Sequence, residues 1–117
     1  MRLLLAEDER AVRFTMAEAL SDAGFQIMAA PDGQRAIDLL LSPNSIDVLV
    51  TDYNMPGANG VEVAQRARLL HPDMPVVFVT GRPDLLTERP MHPPCFCLVK
   101  PFSMAELVET VRQAAHH

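Results

Sequence analysis

The stretch Val48-Leu-Val-Thr-Asp52-Tyr-Asn-Met-Pro-Gly-Ala-Asn-Gly60 passes from an apolar run to a carboxylate and then into turn-forming residues. The run from Val48 to Val50 predicts a strand buried on both faces, because it shows no polar alternation. The Pro and Gly residues that follow indicate a turn. Asp52 should therefore end a buried strand, where open α/β sheets place their ligands. Considered alone, Asp52 could equally be a turn residue, since Asp is common in turns.

The bulk composition predicts a single α/β domain spanning residues 1–117. The chain has 117 residues, of which 49% are apolar, enough for one hydrophobic core. No apolar run is long enough to span a membrane, and acidic residues 7–9 interrupt an opening that resembles a signal peptide. The net charge of −5 and the scattered arginines argue against direct nucleic-acid binding. We therefore expect a cytoplasmic protein, with His116 and His117 either native or a tag remnant.

Apolar runs alternate along the chain with segments of helical spacing. We predict strands over residues 2–6, 25–30, 46–51, 75–79 and 95–99. Helices are predicted over residues 10–23, 33–41 and 60–70, and a last one after Ser103, which forms a capping box with Glu106. The third helix should place its apolar residues on one inner face, namely Val61, Ala64, Ala67 and Leu70. Prolines between the fourth and fifth strands leave room for only a short helix, over residues 84–88. Such alternation predicts a parallel sheet with helices on both faces.

Polar side chains stand at the carboxyl ends of four of the five predicted strands. They are Glu7 and Asp8 after the first strand, Asp52 on the third, Thr80 on the fourth and the only lysine, Lys100, on the fifth. Because parallel strands end at one edge of the sheet, these groups should share one cleft. Three clustered carboxylates repel one another, and a divalent cation relieves that repulsion. Carboxylates with a backbone carbonyl, here that of Asn54, are ligands suited to Mg²⁺.

These residue types together suit phosphoryl transfer to an aspartate. The Asp52 carboxylate could attack phosphorus and form an acyl phosphate. A metal ion and the Lys100 ammonium would neutralise the phosphoryl oxygens, and the Thr80 hydroxyl would donate a hydrogen bond to one of them. The sequence therefore predicts a magnesium-dependent phosphoacceptor site.

In their order and spacing, these motifs resemble the receiver domains of bacterial two-component response regulators. The motifs are Glu7-Asp8, the segment Asp52-Tyr-Asn-Met-Pro56 with Gly60 beyond it, Val79-Thr80-Gly81 and Lys100-Pro101-Phe102. The resemblance covers essentially the whole chain. It implies a flavodoxin-like, doubly wound (βα)5 fold with strand order 2-1-3-4-5, an order that receiver proteins themselves exemplify. It also implies a cis peptide bond between Lys100 and Pro101.

The resemblance also implies roles and partners. Asp52 would accept a phosphoryl group from the phosphohistidine of a histidine kinase or phosphotransfer protein, with Thr80 and Lys100 contacting that group. Mg²⁺ would be held by Glu7, Asp8, Asp52 and the carbonyl of Asn54. The chain would be a signalling module rather than an enzyme, acting on an unknown downstream protein. It would be a stand-alone regulator or a piece of a longer protein, either a larger regulator or a hybrid histidine kinase.

One position departs from the family pattern. Receivers usually carry an aromatic residue three positions before the lysine, and here that position is Cys97. Phe96 is adjacent, but strand alternation directs it to the opposite face. We therefore expect switching that does not use an aromatic rotamer. Cys95 and Cys97 are predicted to be small buried residues rather than zinc ligands with His92.

Three alternative functions remain open from the sequence. A pseudo-receiver would bind partners without phosphorylation, although such chains usually lose the acceptor or its acidic neighbours. A haloacid-type phosphatase would use an aspartyl-phosphate, but that class usually has a second Asp where this chain has Asn54, and its site lies near the first strand. A nucleotide-binding domain would need a glycine-rich turn after the first strand, which is absent.

Overall fold

The computed structural model describes residues 1–55, 58–85 and 91–116. In these residues the elements are β1 (Arg2–Ala6), α1 (Arg10–Asp22), β2 (Gln26–Ala30), α2 (Gly33–Leu41), β3 (Val48–Asp52), α3 (Gly60–Leu70), β4 (Val76–Thr80), β5 (Cys95–Val99) and α4 (Met104–Ala115). The strands form one parallel sheet in the order β2-β1-β3-β4-β5, which confirms the predicted doubly wound α/β fold. No described helix is long and apolar enough to cross a bilayer.

The short helix predicted over residues 84–88 lies mostly outside the described residues. Asp84 and Leu85, which are described, have helical conformation. The other predicted elements agree with the structure to within two residues, and Asp52 is the last residue of β3. The Ser103–Glu106 capping box at the start of α4 is confirmed, with both reciprocal hydrogen bonds present.

Each face of the sheet is covered by its own apolar layer. On one face, α2 and α3 pack against β1, β3 and β4 around residues such as Leu4, Leu49 and Phe78. On the other face, α1 and α4 pack around residues such as Leu5, Val50 and Leu107. All five residues of β3 and of β4 are buried, as expected for strands covered on both faces.

Two burial predictions are wrong. Leu70, expected on the inner face of α3, is 44% exposed. It lies in the last turn, about 60° around the helix from the buried Ala67, because successive helical residues rotate by about 100°. Cys97, expected to be buried, is exposed, while Cys95 is half-buried. β5 is an edge strand, and α4 packs on its opposite face, against Phe96 and Leu98.

The Arg68 side chain holds the entry to β5 against the end of α3. Its guanidinium donates hydrogen bonds to the carbonyl oxygens of Met74, His92 and Pro94, at 2.7, 2.8 and 2.7 Å. Hydrogen bonds from a charged donor are stronger than those between neutral groups. Arg68 therefore ties two separate loops to α3 and sets the position from which β5 starts.

Two glycines allow helices to begin in direct contact with the loop after β3. A Cβ atom at Gly60 would overlap the carbonyl oxygen of Asp52, and one at Gly33 would overlap that of Ala58. The Gly60 amide also donates a hydrogen bond of 2.9 Å to the carbonyl oxygen of Tyr53. The close turn that follows Asp52 is therefore possible only because Gly60 has no side chain.

Replacing Gly60 with alanine should destabilise the fold by about 2 kcal/mol, because overpacking a close contact displaces the backbone. Urea unfolding would measure the decrease in the free energy of unfolding, provided that the m-values of the two proteins are equal. Gly81→Ala is the matched control, since a Cβ there meets no atom within 4 Å. Equal stabilities for the two variants would contradict the role assigned to Gly60.

Candidate functional site

The carboxyl ends of four strands bring together the polar residues singled out in the sequence. β1 is followed by Glu7 and Asp8, while β3 ends in Asp52. One carboxylate oxygen of each of these three residues lies within 4.8 Å of the others. This trio is the sole cluster of three potential metal-binding side chains found among the described residues, so Cys95, Cys97 and His92 do not form one there.

The Lys100 ammonium lies beside the carboxylate cluster. Its Nζ is 3.0 Å from Asp52 Oδ1 and 3.9 Å from Glu7 Oε1. Burial alone would lower the pKa of Lys100, but the Asp52 and Glu7 carboxylates outweigh that effect and raise it. The Lys100 amide donates a 2.8 Å hydrogen bond to the Thr80 carbonyl oxygen, and the following peptide bond, to Pro101, is cis as predicted.

Glu7 is the most enclosed of the three acids, with 1% of its surface exposed. Its Oε2 accepts a hydrogen bond of 3.1 Å from the Glu9 amide. Burial, followed by the adjacent Asp52 carboxylate, raises the pKa of Glu7 from 4.5 to about 8. At neutral pH and without a cation, Glu7 therefore favours its protonated form, which relieves the repulsion within the cluster.

The Thr80 side chain is buried at the end of β4 and is oriented by the next loop. Its Oγ1 accepts a 2.9 Å hydrogen bond from the Arg82 amide, which leaves the hydroxyl proton to donate to another group. The Arg82 guanidinium forms a two-pronged ion pair with Asp84, at 3.1 and 2.8 Å, and thereby lowers the pKa of Asp84. Asn54, the predicted carbonyl ligand, lies exposed in the turn just after β3.

Two further residues, Arg13 and Tyr53, shape this edge of the sheet and were not predicted from the sequence as site residues. Arg13 on α1 donates a 2.9 Å hydrogen bond to the Glu7 carbonyl oxygen. Tyr53, directly after Asp52, is 8% exposed and packs edge-on against the Phe78 ring, with centroids 5.8 Å apart. Its hydroxyl lies 3.4 Å from the Leu85 carbonyl oxygen. The sequence signal for Tyr53 was its position directly after the candidate acceptor, Asp52. Its burial is evident only from the fold.

The carboxylate cluster has the donor set that Mg²⁺ requires. Glu7 Oε1 and Asp52 Oδ1 are buried and accept no hydrogen bond of good geometry from the described residues, although both face the Lys100 ammonium. Three carboxylates against one ammonium leave an excess of negative charge when all are ionised. Hard oxygen donors with unmet charge suit a small divalent cation, so the residues present fit Mg²⁺.

A groove adjoins the site on the α1 side. Its volume is about 560 Å³, and it runs between the start of α1 and the connection from β5 to α4. Lys100 and Glu9 lie at its polar end, and apolar side chains including Val12, Phe102 and Met104 line the rest. The acidic cluster is therefore next to a recess large enough to receive part of another molecule.

Comparisons with known proteins agree with this geometry. The family model described as "Response regulator receiver domain" matches residues 3–112. Response regulator MprA of Mycobacterium avium is 36% identical over 115 residues, covering 96% of this chain and 50% of that protein. The chain thus spans about half the length of the curated relatives it matches.

Two solved structures are also similar. A response regulator receiver protein from Sinorhizobium medicae has a TM-score of 0.93 and 33% identity, with 99% of this chain and 94% of that chain covered. The receiver domain of the hybrid histidine kinase CckA has a TM-score of 0.85 and 31% identity, with coverages of 98% and 99%. Both similarities extend over nearly the whole of this chain.

Without divalent cations, the stability of the fold should decrease as pH rises. The folded chain holds a proton on Glu7 up to about pH 8, whereas an unfolded Glu loses it near 4.5. The stabilisation from that proton is therefore complete below 4.5 and is lost progressively as pH approaches 8. The slope should approach about 1.4 kcal/mol per pH unit.

The measurement is urea unfolding in EDTA across this pH range. Glu7→Gln, which cannot ionise, should flatten the dependence, while Glu18→Gln, at an exposed position on α1, should leave it unchanged. A slope in Glu7→Gln equal to that of the parent chain would refute the assignment to Glu7.

Proposed function

Because the chain belongs to the response regulator receiver domain family, we propose that Asp52 is the phosphoacceptor of a two-component signalling pathway. The donor is a phosphohistidine on a histidine kinase or phosphotransfer protein. The observation that carries the proposal is the Asp52 carboxylate itself, which ends β3 inside an acidic cluster and lies 3.0 Å from the Lys100 ammonium. A cytoplasmic location follows from this role, because ATP-dependent kinases form phosphohistidine there.

The reaction transfers one phosphoryl group between two side chains. A carboxylate oxygen of Asp52 forms a bond to phosphorus while the P–N bond of the phosphohistidine breaks, and its electron pair returns to the imidazole nitrogen. The Lys100 ammonium, with its raised pKa, remains charged and stabilises the negative phosphoryl oxygens. The Thr80 hydroxyl proton, which the Arg82 amide contact does not use, donates to one of those oxygens.

Glu7, Asp8, Asp52 and the Asn54 carbonyl would hold Mg²⁺ in this proposal. The ion would supply positive charge to the phosphoryl oxygens during transfer. Binding it requires Glu7 to release its proton, and the same proton restrains the repulsion among the carboxylates when no cation is bound. Glu7 therefore couples cation binding to pH.

The role we propose is that of a switch rather than of an enzyme that turns over a substrate. Phosphorylation would change how the chain binds an unidentified downstream protein, whether it acts alone or within a larger regulator or hybrid kinase. The groove beside Lys100 would receive part of the donor protein on the α1 side of the site. The intact trio of carboxylates argues against a pseudo-receiver scaffold, and Asn54, in the place where haloacid-type phosphatases usually have a second Asp, argues against a phosphatase.

Incubation with acetyl phosphate and Mg²⁺ should add one phosphoryl group, detected by intact mass spectrometry. The adduct should be absent without Mg²⁺ and absent in Asp52→Asn. Asp47→Asn is the matched control, because Asp47 is an exposed carboxylate at the opposite end of the same strand. A folded parent chain that acquires no adduct would shift the assignment to the scaffold role.

Asp8→Asn should weaken Mg²⁺ binding by at least about tenfold, because it removes a charged ligand while preserving side-chain volume. Isothermal titration calorimetry measures the dissociation constant directly. Asp22→Asn, at the exposed end of α1, controls for the loss of one negative charge from the surface. Equal affinities in the two variants would remove Asp8 from the metal site.

A further inference from the structure

We propose that the Tyr53 hydroxyl links the phosphorylation state of Asp52 to the position of the loop after β4, through its contact with the Leu85 carbonyl. The inference rests on the proposed function, since it requires Asp52 to carry the phosphoryl group. It makes Tyr53 a positioning residue, a role that the receiver-domain motifs do not assign to it. The loop concerned, residues 80–85, is called here the Thr80–Leu85 segment.

The Tyr53 ring is held firmly at the edge of the sheet. It is buried, packs edge-on against Phe78 of β4, and follows Asp52 directly in the chain. The Tyr53 amide continues the β3–β4 ladder by donating a 3.0 Å hydrogen bond to the Val79 carbonyl oxygen. The hydroxyl is therefore presented to the Thr80–Leu85 segment from a fixed position.

The contact between the Tyr53 hydroxyl and the Leu85 carbonyl is longer than an ordinary hydrogen bond. The two oxygens are 3.4 Å apart. Hydrogen bonds between such groups usually measure about 2.7–2.8 Å. A displacement of Leu85 by less than about 1 Å therefore decides whether this buried hydroxyl has an ordinary hydrogen bond.

The Thr80–Leu85 segment is bonded internally so that its two ends move together. The Arg82 amide donates to Thr80 Oγ1 at 2.9 Å, and the Leu85 amide donates to the Arg82 carbonyl oxygen at 3.1 Å. The ion pair between Arg82 and Asp84 braces the same turn. A shift of Thr80 is thus transmitted to Leu85 through two hydrogen bonds.

A phosphoryl group on Asp52 supplies the force for that shift. It adds about 1.5 to 2 negative charges and strong acceptor oxygens beside the Thr80 hydroxyl, whose proton is available. Asp52 pairs with Val79 in the sheet, so Thr80 is drawn toward the neighbouring strand. Leu85 follows, and its carbonyl closes on the Tyr53 hydroxyl.

This arrangement also indicates where the change would be felt. Leu85 packs against the core layer that contains Tyr53 and Phe78, together with Met91 and Cys95 near the start of β5. Cys97, at the position where an aromatic residue is usual, is exposed and too small to fill a core space. Tyr53, directly after β3, supplies a buried aromatic side chain on the layer that contains Phe78 instead.

The test uses nuclear magnetic resonance of the full chain with Mg²⁺ and beryllofluoride, which mimics a phosphoryl group on a carboxylate. The carbonyl carbon of Leu85 should move downfield on loading, because a shorter hydrogen bond deshields it. In Tyr53→Phe, which keeps the ring and its packing on Phe78, that loading-dependent shift should be lost. Thr51→Val, which removes the other buried hydroxyl beside Asp52, should retain it.

Bound beryllofluoride is followed separately by its fluorine resonances, so the two levels of the proposal are distinguishable. If beryllofluoride binds in all variants and the Leu85 shift depends on the Tyr53 hydroxyl, the inference stands. If Tyr53→Phe shows the same shift as the parent chain, or the loaded parent chain shows none, the inference is overturned. If the folded parent chain binds no beryllofluoride, the proposed function fails, and the inference fails with it.

The chain contains one tyrosine and no tryptophan, so its intrinsic fluorescence reports on Tyr53 alone. Loading should change this emission in the parent chain, because the phenol environment changes. In Thr80→Ala, compared with the parent chain at equal beryllofluoride occupancy as measured by the fluorine resonances, the fluorescence response should be reduced, since the segment loses its pull toward Asp52. A full response in Thr80→Ala would overturn the proposed route from Thr80 to Tyr53.

Discussion

The properties of the candidate site depend on the balance of charges at the end of β3. Three carboxylates are crowded into one edge of the sheet, and a single ammonium, from Lys100, faces two of them at 3.0 and 3.9 Å. Burial of Glu7, followed by the adjacent Asp52 carboxylate, raises the pKa of Glu7 to about 8, so Glu7 favours its protonated form. The repulsion among the carboxylates is therefore limited by one proton, on Glu7, and by one ammonium, on Lys100.

The backbone around this cluster is built to keep it in place. Gly60 lets α3 start directly against the Asp52 carbonyl, and the Lys100 amide is bonded to the end of β4. Arg13 fixes the Glu7 carbonyl from α1. The acidic residues and Lys100 are thus carried at the ends of three different strands, each restrained from a neighbouring element.

The fold and the site were largely predictable because both follow from periodic patterns. Alternating apolar strands and amphipathic helices determine a parallel sheet, and a parallel sheet places Glu7, Asp52 and Lys100 at one edge. The wrong burial predictions and the missed residues arise where a periodic pattern does not determine which side chains come into contact. Leu70 lies at the margin of a helix face, and Cys97 lies on an edge strand, which apolar composition alone does not reveal. Tyr53 and Arg68 act through backbone carbonyls distant in sequence, which no local spacing encodes.

Arg68 makes the position of Lys100 depend on α3. Its guanidinium binds the carbonyl oxygens of Met74, before β4, and of His92 and Pro94, just before β5. The starting point of β5, which ends next to Lys100, is thereby set from the last turn of α3. A change in that turn would therefore be felt at the ammonium that faces Asp52, although Arg68 and Lys100 lie at opposite ends of β5.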